Sequence, residues 1–247
     1  AFTDLKKKNM SQCVLDLRGN GGGLLREAIN IVNFFVPKGT EIVRTKGKID
    51  EWNKTYTALN EPLDTQIPLI VLVDGMSASA SEIVSGSLQD LDRAVVLGEE
   101  SYGKGLVQQT KDLAYNSKMK LTVAKYYTPS GRCIQRLDYS HRDDQTGTVK
   151  AVSDSLIKPF KTKNGRTVFD GRGISPDVEV KRDDASNILA GLMNHYVVFN
   201  WASIYAAKHS TIDSASTFRL SDNDYNDFVN YAVQQKFEYN TNTEELY

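Results

Sequence analysis

Cysteine is scarce in this 247-residue chain, with only Cys13 and Cys133. They form no CxxC pair, so neither a disulfide scaffold nor a cysteine-built zinc site is suggested. Histidine is nearly as rare. His141, His195 and His209 show no HExxH spacing, which argues against a metal enzyme. No apolar run approaches the ~18 residues that cross a bilayer. Charge of one sign is missing too. The 30 Lys and Arg against 31 Asp and Glu leave a net charge of −1, so there is no field to draw in nucleic acid or an anionic membrane. What remains is an ordinary globular composition, 40% hydrophobic and 25% charged. It suffices for one large domain or for a domain with an appendage. The chain begins at Ala1 without Met or a signal segment, and AFTDLKKKNMSQ reads as the end of a helix and a turn. A fragment or a processed form is the expectation.

The periodicity alternates between strand and helix. CVLDL (13–17) reads as a buried strand that runs into the loop Arg18-Gly19-Asn20-Gly21-Gly22-Gly23. Leu24, Ala28, Ile31, Val32 and Phe35 then fall at helical spacing, stopped by Pro37 and Gly39. A strand is expected at 42–45 and a polar, irregular excursion at 47–68. LIVLV (69–73) reads as a second buried strand, the turn Asp74-Gly75 leads into a helix with Ile83, Val84, Leu88 and Leu91 on one face, and 95–97 is a third strand. This order predicts an α/β fold with a mostly parallel core. Val107, Leu121, Val123 and Tyr126-Tyr127 mark further strands, and 137–172 reads as hairpins and loops. From 181 onward the pattern is helical. Ser221 is placed as an N-cap with Asp224 at the capping-box position, ahead of Tyr225, Phe228, Val229, Ala232 and Val233. The predicted organisation is a core over 1–180 and a helical segment over 181–247.

Chemistry concentrates in VLVDGMSASASEIVSGSLQDLDRAVVLGEESYGKGLVQQ (71–109). A strand enters a tight turn of small residues and a helix follows. A hydroxyl there sits beside the free N–H groups of the first helical turn, where an oxyanion can be stabilised. Serines that merely cap a helix fit the same residues. A serine nucleophile needs a base, and no histidine lies nearby; the available one is Lys104, in Gly103-Lys104-Gly105. The two glycines allow a sharp bend that lets the lysine stem enter a packed space. To serve near pH 7 the amine must be neutral, a shift costing about 4.6 kcal/mol that burial among apolar groups can supply. A solvated loop lysine is the plainer alternative.

The same stretch resembles the catalytic core of the carboxy-terminal processing peptidases, also called tail-specific proteases. Their G-S/T-A-S-A-S-E-I pattern appears as GMSASASEI, and their glycine-flanked Lys followed by Gln appears as GKGLVQ. Further motifs appear in order as DLRGNGGGLL (16–25), YYTPSGRCIQ (126–135) and GISPD (173–177). The resemblance covers about residues 13–180. It implies a crotonase/ClpP-like peptidase core and a serine endopeptidase that cleaves protein or peptide substrates bound by their C-terminal region. It assigns Ser79 as nucleophile, Lys104 as general base and Gln108 as the group that orients the lysine. Ser77 (turn or cap) and Ser81 (helix packing) lack the family spacing. The oxyanion hole is expected from the N–H of Ala80 together with that of Gly22 or Gly23, between which sequence does not decide. No cofactor is implied and homo-oligomerisation is left open. The family acts in the bacterial periplasm or cell envelope, and the resemblance places the chain there.

Departures accompany the resemblance. The family usually carries a PDZ domain before its core, and residues 1–12 cannot supply one, so the expectation is an N-terminally truncated core. The family loop often has Pro where this chain has Gly21. A non-catalytic peptide- or ligand-binding module on the same fold, or an inactive truncated fragment, is the alternative reading. Two decoys fail on the residues. Ser101-Tyr102-Gly103-Lys104 and Ser221-Asp222-Asn223 mimic the S-x-x-K and S-D-N of β-lactamases, but no K-T-G follows. GNGGG (19–23) puts Leu24 where a dinucleotide loop needs its third glycine.

Overall fold

The computed structural model describes residues 1–143, 145–180 and 186–236. The chain divides into two compact units, Ala1–Lys181 and Arg182–Tyr247.

The first unit opens with α1 (Phe2–Lys7), β1 (Cys13–Asp16), α2 (Leu25–Asn33), β2 (Glu41–Gly47) and β3 (Lys54–Thr57). It continues through β4 (Leu69–Val73), α3 (Ala80–Asp90), β5 (Val95–Gly98), β6 (Leu106–Asp112) and β7 (Lys118–Tyr127), and closes with β8 (Pro159–Lys161), β9 (Thr167–Phe169) and β10 (Val178–Glu179). The anticipated parallel layer is the sheet β1-β4-β5-β10, in which every pairing is parallel. A second sheet, β3-β2-β7-β6, is antiparallel throughout. Strand β3 lies in the stretch expected to be irregular; KTYT is short and polar, and it forms as an edge strand because β2 templates it. Strand β1 is also an edge. Val14 is 60% exposed, against the expectation of a fully buried strand, because it shares an open face of the sheet with its in-register neighbours Ile70 and Val95.

Helix α3 departs from the one-faced helix that its periodicity predicts, since all of its residues are buried. Its small polar side chains find backbone partners. Ser85 Oγ donates to the Ser81 carbonyl at 2.9 Å and Ser87 Oγ to the Ile42 carbonyl at 2.7 Å, so burial leaves these hydroxyls satisfied. At Gly86 a Cβ would stand 2.6 Å from Ile174 Cδ1, which is how the GISPD segment reaches the helix.

The end of α3 holds a buried ion pair. Arg132, from the YYTPSGRCIQ segment, is fully buried and places Nη2 2.8 Å from Asp90 Oδ1 and 2.6 Å from Gln89 Oε1. Asp90 Oδ2 accepts from the Ser130 N–H at 3.0 Å. Replacing Arg132 with Met strands the Asp90 charge away from water. Arg132→Met is expected to lose about 3–5 kcal/mol of stability in urea unfolding. A loss within experimental error would show that the pair is dispensable.

The second unit contains α4 (Asn187–Asn194), α5 (Val197–Lys208) and α6 (Asp222–Gln234). Ser221 caps α6 as anticipated. Its Oγ accepts the Asp224 N–H at 3.2 Å, and Oγ donates to Asp224 Oδ2 at 2.5 Å. Trp201 is the buried centre of this unit, edge-on to Phe228 at 5.3 Å, with its indole N–H donating to Asp227 Oδ2 at 3.3 Å. None of the described helices is long and apolar enough to cross a membrane.

Candidate active site

Strands β1 and β4 are parallel neighbours, so the loops after their C-terminal ends emerge side by side. One is the glycine loop 18–24, the other the turn 74–79. Asp74 joins them. Its buried carboxylate accepts the Gly19 N–H at 2.9 and 3.0 Å and the N–H groups of Met76 and Ser77, each at 3.0 Å. Ser77 is fully buried and its Oγ donates to the Leu17 carbonyl at 2.7 Å, so it serves the turn and offers no nucleophile. The Ala78 N–H donates to the Asn20 carbonyl at 3.0 Å, which fastens the loop a second time.

Burial raises the Asp74 pKa, but the bonds from Gly19, Met76 and Ser77 outweigh it and hold the carboxyl below the usual aspartate range. A depressed folded-state value means that this stabilisation is complete above the unfolded aspartate value and is lost as pH falls through the folded one. Amide exchange at Gly19, Met76 and Ser77 is expected to accelerate together below about pH 4, the unfolded aspartate range, before global unfolding. Protection that persists until the whole core opens would refute this anchoring role.

Ser79 stands where the turn becomes helix, with φ +58° and ψ −113°. This is a strained backbone for a residue that carries a Cβ, and strain of this kind collects at functional positions. The residue is half-buried and α3 begins immediately after it, so the Ala80 N–H has no intrahelical acceptor. Gly22 is pressed against this turn. A Cβ there would lie 2.5 Å from the Ala78 carbonyl oxygen and 2.8 Å from the Ala80 nitrogen, at a φ of +94°. Only glycine fits that approach. The Gly22 N–H is already engaged, donating to Asn20 Oδ1 at 2.9 Å. Among the described residues, Gly23 and Ala80 have no protein acceptor for theirs.

Glu82, fully buried one turn into α3, connects the serine to the lysine loop. Its Oε2 accepts the Ser79 N–H at 2.7 Å and the Lys104 N–H at 2.8 Å. Its Oε1 accepts the Ser101 hydroxyl at 2.6 Å and the Gly103 N–H at 2.7 Å. Burial raises the Glu82 pKa above the ordinary glutamate value, opposed by these four donors. Ser101 also accepts the Ile174 N–H at 2.7 Å and is fully buried, so the S-x-x-K serine is a structural link. The sequence reading missed Glu82 and weighed Ser101 only as the serine of a decoy motif. The S-A-S-E order of a capping box was the available signal for Glu82.

Lys104 corrects an expectation. Its side chain is exposed in this chain rather than buried among apolar groups. The flanking glycines serve the backbone. A Cβ at Gly103 would meet Arg136 Cβ at 2.4 Å, and one at Gly105 would meet the Gln135 nitrogen at 2.7 Å. The Gly105 N–H donates to Gln135 Oε1 at 2.8 Å. The loop is thus clamped between Glu82 and the Gln135 segment while the lysine stem projects outward. Gln108 lies on β6 next to a register irregularity with β7 and is likewise exposed. Lys104, Leu106 and Gln108 alternate along the extended chain and share one cavity of about 280 Å³, which Ala78 also lines. Ser79 Oγ and Lys104 Nζ make no hydrogen bond with each other in this structure. Leu17, Leu24, Ala28, Ile31, Ala80 and Val84 line a second, apolar groove of about 140 Å³.

Comparison with known proteins follows the same residues. Residues 1–140 match the family described as Peptidase family S41. Residues 188–247 match one described as "Probable PDZ-protease, C-terminal helical domain". A carboxy-terminal-processing protease of Bartonella bacilliformis is 50% identical over 139 residues, covering 55% of this chain and 32% of that protein. A chloroplastic C-terminal processing peptidase of Tetradesmus obliquus is 39% identical over 142 residues, covering 57% and 30% respectively. Among solved structures, the photosystem II D1 C-terminal processing protease superposes with a TM-score of 0.54 at 31% identity, over 73% of this chain and 37% of that one. The chain spans about a third of the length of the curated relatives it matches.

Proposed function

The chain belongs to peptidase family S41, among the carboxy-terminal processing serine proteases, and from that premise we propose that it carries a Ser79/Lys104 dyad cleaving protein substrates near their C-termini. The observation that supports this most directly is the shared Glu82 oxygen, one hydrogen bond from the backbone of each partner. The four-carbon stem of Lys104 is long enough to carry Nζ to the serine from there.

In this reading the neutral Lys104 amine takes the Ser79 proton as Oγ attacks the scissile carbonyl. The oxyanion is received by the unengaged N–H groups of Ala80 and Gly23, with Gly22 supplying close approach. Lys104 then returns the proton to the departing amine, and water releases the acyl group. Gln108, on the same face as Lys104, orients the amine. Bound substrate covers the exposed lysine and removes its water. The apolar groove beside Ala80 accepts the side chain on the acyl side of the scissile bond, and its 140 Å³ suits a small or medium apolar residue. The bacterial and chloroplast relatives support a setting in the periplasm or bacterial envelope.

The test is an internally quenched peptide with an apolar C-terminus. It is expected to be cut at a rate that rises with pH, because only the deprotonated amine accepts a proton, and chelators leave the rate unchanged. A fluorophosphonate is expected to add one equivalent of mass on the peptide containing Ser79. An adduct on any other serine, or a rate that falls as pH rises, overturns the assignment.

A further inference from the structure

We propose that the β6–β7 hairpin docks by its tip on an anionic lipid surface, with Leu113 and Tyr115 entering the headgroup layer and lysines meeting the lipid charge. The inference is independent of the dyad reading. Every residue from 110 to 122 is exposed, so the ribbon stands clear of the sheet that roots it. From Gln108 to Leu113 it extends about 17 Å, at ~3.4 Å per residue.

The register sorts its side chains. Lys111 is paired with Met119 and Gln109 with Leu121. Side chains alternate along each strand, so Leu113, Met119 and Leu121 share one face with Lys111. Thr110, Asp112, Lys118 and Lys120 take the other. An antiparallel pair with this alternation ordinarily lays its apolar face on a core. Here no core lies beneath it. Leu113 is 48% exposed, and Met119 and Leu121 are 39% exposed each.

The turn points the same way. The Ser117 N–H donates to the Ala114 carbonyl at 3.3 Å, and Tyr115 and Asn116 between them adopt φ of +58° and +56°. This is type I′ geometry, which favours Asn-Gly. Asparagine tolerates it, whereas a tyrosine there is strained. Tyr115 is fully exposed, so packing within the chain does not offset the strain. Strain held at an exposed aromatic marks a contact with something outside the chain. A ring with a polar tip suits the boundary between headgroups and acyl chains.

Charge selects the occupant. Residues 106–127 hold Lys111, Lys118, Lys120 and Lys125 against Asp112, a net of +3, so the rest of the chain carries −4. The overall balance of −1 conceals this local field. Lys118 is paired with Asp112 at 2.7 Å. Lys111 and Lys120 make no ion pair among the described residues. They sit on opposite faces and straddle the apolar tip. Two hairpins meeting tip to tip would set these cations against their own copies, which disfavours a second chain as occupant. An anionic surface gains from each of them.

The experiment sediments the full chain with vesicles of phosphatidylcholine alone or of phosphatidylcholine mixed with phosphatidylglycerol. Partitioning is expected to be about 30-fold stronger or more on the mixed vesicles, and to fall as salt is added. Lys111→Gln combined with Lys120→Gln is expected to weaken it about 20-fold. Tyr115→Gly removes the ring and the strain together. It is expected to unfold in urea no earlier than the parent while binding falls about 10-fold. Amide exchange within 110–122 is expected to slow on the mixed vesicles. No partitioning, equal partitioning on both vesicles, slowed exchange only in other segments, or binding that survives either variant overturns the proposal. So does a dimer that Tyr115→Gly abolishes in a chain that binds no lipid, which assigns the face to a second copy.

Discussion

Ser79→Ala is expected to lower kcat/KM by a factor of about 10⁴ or more, because the acyl intermediate can no longer form. A second substitution at the same position separates chemistry from folding. Ser79 is held at φ +58° and ψ −113°, a conformation that costs a residue with a Cβ about 1–3 kcal/mol. Alanine keeps that strain. Glycine relieves it, at the expense of a larger entropy loss on folding of roughly 0.5–1 kcal/mol. Ser79→Gly is therefore expected to be as inactive as Ser79→Ala yet more stable than it, by about 1 kcal/mol in urea unfolding. The two measurements are independent. Activity surviving in either variant removes Ser79 as nucleophile. A glycine variant less stable than the alanine one removes the claim that the fold stores strain there.

Glu82→Gln is expected to be the most damaging change outside the proposed dyad. Each carboxylate oxygen accepts two donors. An amide offers one oxygen and one NH₂. Whichever way it turns, the NH₂ faces either Ser79 and Lys104 or Ser101 and Gly103, and two buried donors lose their acceptor. At roughly 1–3 kcal/mol each, the loss of stability is about 2–6 kcal/mol. The kinetic effect follows from position. A shift of about 1 Å between reacting groups costs about 10²-fold in rate. Glu82→Gln is expected to lose at least that in kcat, with a smaller change in KM, because neither recess is lined by Glu82. A variant with parental kcat would show that the proposed dyad aligns without this carboxylate. Loss of kcat below the unfolding midpoint, with the quenched peptide still bound, would separate misalignment from unfolding.

Much of this was legible before any coordinates. Contiguous motifs placed the strand–turn–helix carrying Ser79, the glycine loop and the lysine loop, because each is local and its backbone demands glycine or small residues at adjacent positions. Ser221 and Asp224 were read correctly as a capping box for the same reason. Strand β3 was missed because KTYT is short and has no apolar run to mark it, and it forms against β2. The outward path of Lys104 was misread because its two glycines meet Arg136 and Gln135, some thirty residues away in the chain. Helix α3 was assigned one buried face, whereas neighbours on every side bury all of it.

The amino-acid order alone determined the alternating architecture, the peptidase resemblance, and which serine and which lysine to compare, since those depend on spacing within single segments. Tertiary structure decided what brings them together. A carboxylate from the helix reaches two loops at once, an aspartate ties the glycine loop to the turn before α3, and two recesses form, one lined by Ala78 and the other by Ala80. The aspartate link alone joins residues 55 positions apart, and hydrogen bonds and cavities between distant segments exist only once the chain has closed on itself.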